Sequence, residues 1–364
     1  GSRWINDIIG SSQVAAILYA LTALKVMNAL PLPGQKPKEA KELLNWRFRK
    51  GSSTEAKLER LLRSLARAKI VEEHPLKSEG GAISAFSHTA QSAELRDGSQ
   101  WNTRELVLTH LSPCYQRSWL RLFDSLVVDP YNEHLTEGMD EPFRLEHGQG
   151  VFDFYRDPRN QEAAQTFDDL MSGFNESSEV YNGESAVELV ANLPLWTELC
   201  SQKTPEVVDL GGGQGILLAA LCKRYGFRGR VLDRTDGDFF KPGIAEDFPK
   251  HAQVFILKWV LHDWSDQRCE MILKNLHETV AMSSSSWPRL LVLEQVLPEA
   301  SDTSEAAQLA RAELDDAGLW VIYGGRERRI SEYRTLLSSQ GFELIRVSPL
   351  ASFDLVAMEA IWSP

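Results

Sequence analysis

A short β-branched run that leads directly into a glycine turn constrains the fold of this chain more than any other feature. Glu206–Leu210 is typical of a buried strand, glycines follow at 211, 212, 213 and 215, and Ile216–Tyr225 has helical periodicity. A second short strand is predicted at 229–232. Strand, tight turn, helix and strand in this order predict a βαβ unit, and therefore a parallel sheet covered by helices.

Four more strands are predicted after this unit, at 253–257, 289–293, 343–347 and 355–358. The first hundred residues have the periodicity of helices instead. We therefore predict an α/β protein with a Rossmann-like, mostly parallel, doubly wound sheet and a helical, winged-helix-like amino-terminal domain. The predicted boundaries are 1–105 for that domain and 106–364 for the second, the latter made of a helical lead-in over 106–204 and a core over 205–364.

The winged-helix prediction rests on one amphipathic helix followed by a short apolar pair and a Gly80–Gly81 turn. Its apolar face carries Leu58, Leu61, Leu62 and Leu65, and its other face carries Lys57, Arg60, Arg63 and Arg67. Such a helix fits either a DNA reader or a protein–protein module. Acidic residues outnumber basic ones by 51 to 39, and this net charge of −12 repels phosphate backbones. We favour the protein module over a DNA-binding regulator, which a mobility-shift assay would reveal.

The spacing of the glycine turn separates two classes of cofactor. A dinucleotide fingerprint needs glycine at position 216, where this chain has Ile216. The remaining pattern, with Gly211 and Gly213, suits an adenosine cofactor without a pyrophosphate. Asp233 ends the next strand, 22 residues after Gly211, where its carboxylate can take two ribose hydroxyls. With Asp209 at the end of the first strand, the pattern favours the cationic S-adenosylmethionine over a turn that binds nothing.

A second group of polar residues follows the later strands. His262 comes after the strand at 253–257, Glu294 ends the run 289–293, and Glu327 lies on a later loop. Because ligands of open α/β sheets sit beyond the carboxyl ends of the strands, we expect the three side chains at one edge. One imidazole with two carboxylates is what general-base chemistry needs, since the carboxylates orient the ring and stabilise its protonated form.

These segments resemble the plant-type O-methyltransferase family, which includes the caffeate and hydroxyindole enzymes. The resemblance spans about residues 10 to 360 and is strongest in the last 160 residues. It is carried by Asp209–Gly215, Gly237-Asp238-Phe239-Phe240, Leu257–Asp266, Leu293–Pro298 and Gly324–Arg328.

The resemblance implies a methyltransferase whose helical amino-terminal domain entwines two subunits into a homodimer. It implies cofactor contacts at Gly211, Asp233, Asp238, Phe239 and Lys258, with His262 as the base and Glu294 and Glu327 beside it. To the cofactor contacts we add Asp209 and Gly213. We assign the walls of the acceptor pocket to Met171, Phe174, Trp259 and Asp263.

We therefore expect O-methylation of a hydroxyl on a small, aromatic or secondary-metabolite acceptor. Relatives of this fold also carry out C- or N-methylation, or use the cofactor as a bound cation in hydroxylase- or pericyclase-like reactions. The accumulation of S-adenosylhomocysteine with turnover separates the methylating and non-methylating alternatives. We expect no metal, since no two histidines are four residues apart and no carboxylate cluster of ligand type is present.

Cysteine usage and hydropathy predict the surroundings of the protein. Its four cysteines are scattered without a CxxC pair, which favours a reducing compartment. The longest apolar stretch, 14–24, is shorter than the ~20 residues that a membrane span needs, and no signal peptide is visible. We therefore expect a cytoplasmic protein that binds neither a membrane nor nucleic acid.

The sequence departs from the family pattern at one place. Asp233 and Asp238 are five residues apart, whereas the family has a helix and a strand between them. Parallel strands need crossovers of ~10–12 residues, so five residues cannot connect two of them. We favour a stretch missing from the sequence over a true deletion.

Overall fold

The computed structural model describes residues 3–49, 52–78, 81–99, 102–127, 139–176, 184–201, 205–233, 240, 252–281, 288–299, 306–351 and 355–362. The chain divides into two compact units. The first unit comprises Gly1–Gln116 with Glu162–Gly173, and the second comprises Arg117–Gln161 with Phe174–Pro364.

The first unit combines helices with a small antiparallel sheet. Its elements are α1 (Arg3–Ala23), α2 (Val26–Ala29), β1 (Lys38–Glu39), α3 (Ser52–Arg67), β2 (Val71–Ser78), β3 (Gly81–His88) and α4 (Thr103–His110). The strands pair in the order β1-β3-β2. Leu58, Leu62 and Leu65 of α3 are buried in one core with Phe86 of β3. A helix packed in this way with a β-hairpin is the winged-helix-like arrangement that the leucine spacing predicts.

The basic face of α3 is partly neutralised. Arg63 and Arg67 both form ion pairs with Glu73 of β2, at nitrogen–oxygen distances of 3.2 and 3.3 Å. Arg63 also pairs with Glu59 on its own helix. Two of the four basic side chains on this face are therefore paired with carboxylates of the same unit. This pairing is typical of a solvated structural face.

The second unit contains the large sheet and most of the helices. Its helices are α5 (Pro113–Trp119), α6 (Leu122–Leu126), α7 (Pro142–His147), α8 (Val151–Arg156), α9 (Gln161–Glu176), α10 (Ala186–Ala191), α11 (Pro194–Leu199), α12 (Ile216–Tyr225), α13 (Asp266–Ala281), α14 (Ala306–Tyr323) and α15 (Ile330–Ser339), with α5 and α9 partly in the first unit. Its strands are β4 (Glu206–Leu210), β5 (Arg228–Leu232), β6 (Val254–Lys258), β7 (Arg289–Glu294), β8 (Val296–Leu297), β9 (Arg328–Arg329), β10 (Phe342–Ala351) and β11 (Leu355–Trp362).

The six-stranded sheet has the order β10-β11-β7-β6-β4-β5. Strands β7, β6, β4 and β5 are parallel, and β10 and β11 join them as an antiparallel pair. The predicted α/β fold with a mostly parallel sheet is confirmed. The expectation of a missing stretch after Asp233 concerns 234–239 and 241–251, which lie outside the described residues.

Both faces of the central strands β4, β6 and β7 are buried, which explains why these three strands are mostly apolar. Phe255 and Leu257 face one apolar core, whereas their neighbours Val254 and Ile256 face another. Parallel sheets need such cover on each side. None of the helices in the described ranges has the length and apolarity required to cross a membrane.

The register of the parallel strands decides which loops meet. Leu210 at the end of β4 pairs with Leu232 of β5 and Leu257 of β6, and Lys258 pairs with Leu293 of β7. The glycine turn, the His262 segment and Glu294 therefore leave the same edge of the sheet.

Candidate active site

The glycine turn after β4 leaves open space above its backbone. Gly213 adopts φ +56°, in the left-handed region, and a Cβ built on it meets no atom within 4 Å. Its N–H donates to Asp233 Oδ2 at 2.7 Å, and the N–H of Gly211 donates to the Leu232 carbonyl at 2.7 Å. Hydrogen bonds to Leu232 and Asp233 at the end of β5 thus fix one side of the turn. Its other side is open to a ligand, with the Asp233 carboxylate beside it.

One buried and one half-buried ionisable group, Asp209 and Lys258, lie close to this turn. Asp209 is 1% exposed, its Oδ1 has no hydrogen-bond partner among the described residues, and burial raises its pKa to about 7. Burial also lowers the pKa of Lys258 to about 7, and its Nζ lies 3.1 Å from the centroid of the Trp259 ring. A buried acceptor without a donor is costly, and such groups are usually satisfied by water or a ligand. Asp209 Oδ1 can therefore accept a hydrogen bond from a ligand that the turn holds.

The chain turns sharply after β6 because Trp259 adopts a left-handed backbone conformation. Its φ of +53° is uncommon for a bulky residue and is found mainly at functional sites. The Trp259 N–H still donates to the Leu293 carbonyl at 2.9 Å, as in the preceding ladder. The next two N–H groups, of Val260 and Leu261, then donate to Glu294 Oε1 at 3.2 and 2.9 Å. This turn sets the short 3₁₀ segment that carries His262.

The structure brings the three predicted side chains of the base cluster together. His262 Nδ1 lies 3.3 Å from Glu327 Oε1 and 3.5 Å from Glu294 Oε2, and its Nε2 lies 3.6 Å from Asp263 Oδ1. The side chains of Glu294 and Glu327 are 0% and 2% exposed, whereas that of His262 is 15% exposed. The imidazole is thus held by buried carboxylates and retains a path to solvent or to a ligand.

Burial and charge act in opposite directions on this cluster. Burial by itself lowers the pKa of His262, but the carboxylates of Glu294, Glu327 and Asp263 outweigh it and raise that pKa to about 10. Burial raises the pKa of Glu294 and of Asp263 to about 7 each. His262 is therefore an unusually strong base for an imidazole, and its unprotonated fraction grows as the pH rises toward 10.

Replacing Glu294 by glutamine tests this electrostatic assignment. The glutamine oxygen can still accept the two backbone N–H bonds, but the negative charge beside His262 is lost. We expect the pKa of His262, followed by NMR titration, to fall by at least about one unit toward 6.5. The pH–rate profile should shift to lower pH by the same amount.

Glu359→Gln provides the matched control for this measurement. Glu359 is equally buried, lies on β11, and pairs with Arg289 and Arg346. Its replacement should leave the pKa of His262 unchanged. An unchanged His262 pKa in Glu294→Gln would contradict the assignment.

The loop before β9 holds Glu327 against the His262 turn. The Arg326 N–H donates to the His262 carbonyl at 2.8 Å, and the Glu327 N–H donates to Asp316 Oδ1 at 2.7 Å. A Cβ built on Gly325 would lie 1.9 Å from the His262 carbonyl oxygen. Only glycine permits this approach of the two backbones.

Sequence reasoning did not identify Asp316 or the packing role of Gly325. Asp316 lies in a helix eleven residues before Glu327, and its one visible signal is a pair of acidic residues in an otherwise apolar stretch. The pair Gly324–Gly325 is evident in the sequence. The backbone that Gly325 contacts, at His262 and Asp263, belongs to a distant segment of the chain.

The other residues predicted to belong to the site differ in where they lie in the structure. The rings of Phe174 and Trp259 meet edge to face at 5.9 Å between centroids. Met171 is half-buried and belongs to the first unit, whereas Phe174 and Trp259 belong to the second. Asp238 and Phe239 lie outside the described residues.

A ring cluster that the sequence did not assign lies beside the His262 segment. Trp264 contacts Phe152 and Phe240 at centroid distances of 5.3 and 4.8 Å, and Phe152 contacts Tyr323 at 5.7 Å. These rings supply apolar surface near the His262 segment. Among the described residues, no group of three or more His, Cys, Asp or Glu side chains has the arrangement to hold a metal ion.

Comparison with known proteins gives one consistent result. A family model described as an O-methyltransferase domain matches residues 226–343. A bergaptol O-methyltransferase of Kitagawia praeruptora is 28% identical over 79% of this chain and 76% of its own length. A phenazine O-methyltransferase of Lysobacter antibioticus is 26% identical over 96% of this chain and 94% of its own. The solved structure of a mitomycin 7-O-methyltransferase shares the fold with a TM-score of 0.71 at 23% identity, covering 100% of this chain and 98% of its own.

Proposed function

We propose that the chain is a member of the O-methyltransferase family whose domain matches residues 226–343, and that it methylates a hydroxyl of a small aromatic acceptor with His262 as general base. One observation carries the proposal: a partly exposed imidazole between two buried carboxylates at the edge of the sheet where the glycine turn begins. Two relatives of similar sequence are named as O-methyltransferases of bergaptol and of a phenazine.

The methyl donor is S-adenosylmethionine, and the residues around the glycine turn fit it. The open space over Gly213 admits a ligand close to the backbone, Asp233 offers a carboxylate to the ribose hydroxyls, and buried Asp209 offers an unsatisfied acceptor. A Cβ on Gly212 would lie 2.5 Å from the Asp209 carboxylate, so glycine is needed to cover that residue. When bound, the donor supplies a methyl group already activated by a sulfonium.

The protein's own groups supply proton transfer and alignment. The His262 imidazole would accept the hydroxyl proton of the acceptor. The donor, held at the glycine turn by Asp233 and Asp209, would supply the methyl group to the acceptor oxygen and would leave as S-adenosylhomocysteine. Glu294 and Glu327 stabilise the imidazolium that results, since both lie within 3.5 Å of Nδ1. The rings of Phe174, Trp259 and Trp264 provide apolar walls that hold an aromatic acceptor in place.

Labelled S-adenosylmethionine with a panel of phenols, carboxylic acids and keto acids tests the function. We expect label to enter a phenolic oxygen, with one S-adenosylhomocysteine formed for each product molecule. Label on nitrogen or carbon would assign C- or N-methylation instead. Product formation without S-adenosylhomocysteine would assign a non-methylating reaction.

Asp233→Asn separates cofactor binding from chemistry. Loss of one charge-assisted hydrogen bond costs about 1.5–3 kcal/mol, so we expect the KM for S-adenosylmethionine to rise about tenfold or more. The kcat at saturating cofactor should change little, because Asp233 lies at the glycine turn and not beside His262. Asp157→Asn, which removes a carboxylate paired with Arg159, is the control that should change neither constant.

We also propose that two copies of the chain pair as a homodimer through the first unit. Helix α1 leaves two adjacent large apolar side chains, Ile8 and Ile9, 56% and 50% exposed, and contiguous exposed apolar surface is typical of interfaces. Light scattering should give twice the chain mass, and Ile8→Asp with Ile9→Asp should give a monomer. A monomeric unaltered protein would contradict this assembly.

A further inference from the structure

Arg328 is a buried cation immediately after Glu327. It lies on β9, where it pairs with Val296 of β8, and its side chain is 1% exposed. A buried guanidinium is tolerated only when its donors are satisfied. The partners of Arg328 therefore decide what it does in the fold.

Those partners bracket the residue that carries the base. Nη1 donates to the Leu261 carbonyl at 2.9 Å, and Nη2 donates to the Trp264 carbonyl at 2.8 Å. Nε and Nη2 also donate to Asp266 Oδ1 at 2.8 and 2.7 Å. Leu261 and Trp264 flank the His262–Asp263 pair, and Asp266 begins α13. One planar group thus closes the turn from behind and joins it to the following helix.

Three consecutive residues hold the same turn in different ways. Arg326 binds the His262 backbone carbonyl, the Glu327 carboxylate contacts the His262 ring, and Arg328 binds the two carbonyls on either side. The β8–β9 pairing attaches this segment directly after Glu294. A shift of Arg328 would therefore change the position of the imidazole relative to both carboxylates.

We propose that Arg328 is a positioning residue that fixes the Leu261–Trp264 turn against Glu327 and so places the His262 imidazole. This role rests on the proposed function for its effect on turnover, but its effect on His262 stands without it. Lysine in its place keeps the charge but cannot reach two carbonyls and a carboxylate together, because it lacks the planar fork.

Arg328→Lys is the decisive variant. We expect kcat to fall about 10- to 100-fold with the KM for S-adenosylmethionine unchanged, since about 1 Å of misplacement costs that much. We expect NMR to show the pKa of His262 lowered, because the carboxylate contacts loosen. This titration needs no acceptor, so it still decides the proposal if the methylation assay fails.

Arg289→Lys is the matched control, because Arg289 pairs with Glu198 and Glu359 away from the turn. It should leave kcat and the His262 pKa unchanged. A lower melting temperature in Arg328→Lys with kcat and the His262 pKa unchanged would reduce Arg328 to a structural residue and overturn the proposal.

Asp266→Ala keeps the proposal testable if Arg328→Lys does not fold. The Asp266 side chain is 55% exposed, so its loss leaves the fold intact but removes one anchor of the guanidinium. We expect a smaller lowering of the His262 pKa with the same sign. An unchanged pKa in this variant would overturn the proposal.

Discussion

Replacing His262 by alanine should lower kcat for a phenolic acceptor by about 10²–10⁴-fold at about pH 9, where part of the imidazole is unprotonated, the range that a positioned general base contributes. The affinity for S-adenosylmethionine, measured by calorimetry, should stay within about twofold, because the Asp233 and glycine-turn contacts remain. Equal loss of catalysis and cofactor binding would make His262 a residue of the fold rather than of the reaction.

The pH dependence of this variant distinguishes a base from a structural group. A phenol loses its own proton near pH ~10, so an external base becomes unnecessary there. Because the pKa of His262 is also raised to about 10, the difference between His262→Ala and the unaltered protein should shrink only above that pH. His277→Ala is the control, since His277 hydrogen-bonds the Gln340 carbonyl and contacts the Trp362 ring instead. It should retain full kcat at every pH.

Gly325→Ala should lower kcat about 100-fold and destabilise the fold by about 1–3 kcal/mol. The added methyl would lie 1.9 Å from the His262 carbonyl oxygen and 2.5 Å from the Asp263 carbonyl carbon. Both are backbone atoms, which cannot rotate away as a side chain would. The two segments must separate, and Glu327 then moves away from His262. Steady-state kinetics together with thermal unfolding measures both effects.

A second glycine in the same unit controls for the substitution itself. Gly318 lies inside α14, where a Cβ would sit 3.9 Å from Trp119, an ordinary contact. Gly318→Ala should keep kcat and raise stability by about 0.5–1 kcal/mol, because glycine weakens a helix interior. If Gly325→Ala also kept kcat and raised stability, the inference that the two backbones approach closely at Gly325 would be wrong.

The fold could be predicted because its signals are local. Short apolar runs predicted β4, β6 and β7, the first of which ends at the glycine turn, and the parallel register then placed His262 and Glu294 at one edge. Side-chain detail could not be predicted, since it depends on contacts between distant segments. The left-handed Trp259, the two N–H donors on Glu294 Oε1 and the support of Glu327 by Asp316 all appear only once the strands are aligned.

The proposed acceptor pocket was less accessible to sequence reasoning for the same reason. The pair of Phe174 and Trp259 joins a lead-in helix to the end of a strand, and nothing in their spacing indicates it. Phe152 and Tyr323, which also lie near the turn, come from two further helices. Their periodicity is that of ordinary core residues, so the pattern could not distinguish a wall from a core.

The two backbone hydrogen bonds that hold Glu294 bear on the activation barrier of the proposed reaction. Its Oε1 is fixed by two main-chain donors, so Oε2 faces the imidazole whether or not the ring carries a proton. In the proposed reaction, little in the surroundings would have to reorient when charge appears on the ring, and a prearranged field of this kind lowers the activation barrier. Changes in the proposed pocket walls could then alter which molecule is accepted while the proposed proton transfer stays the same.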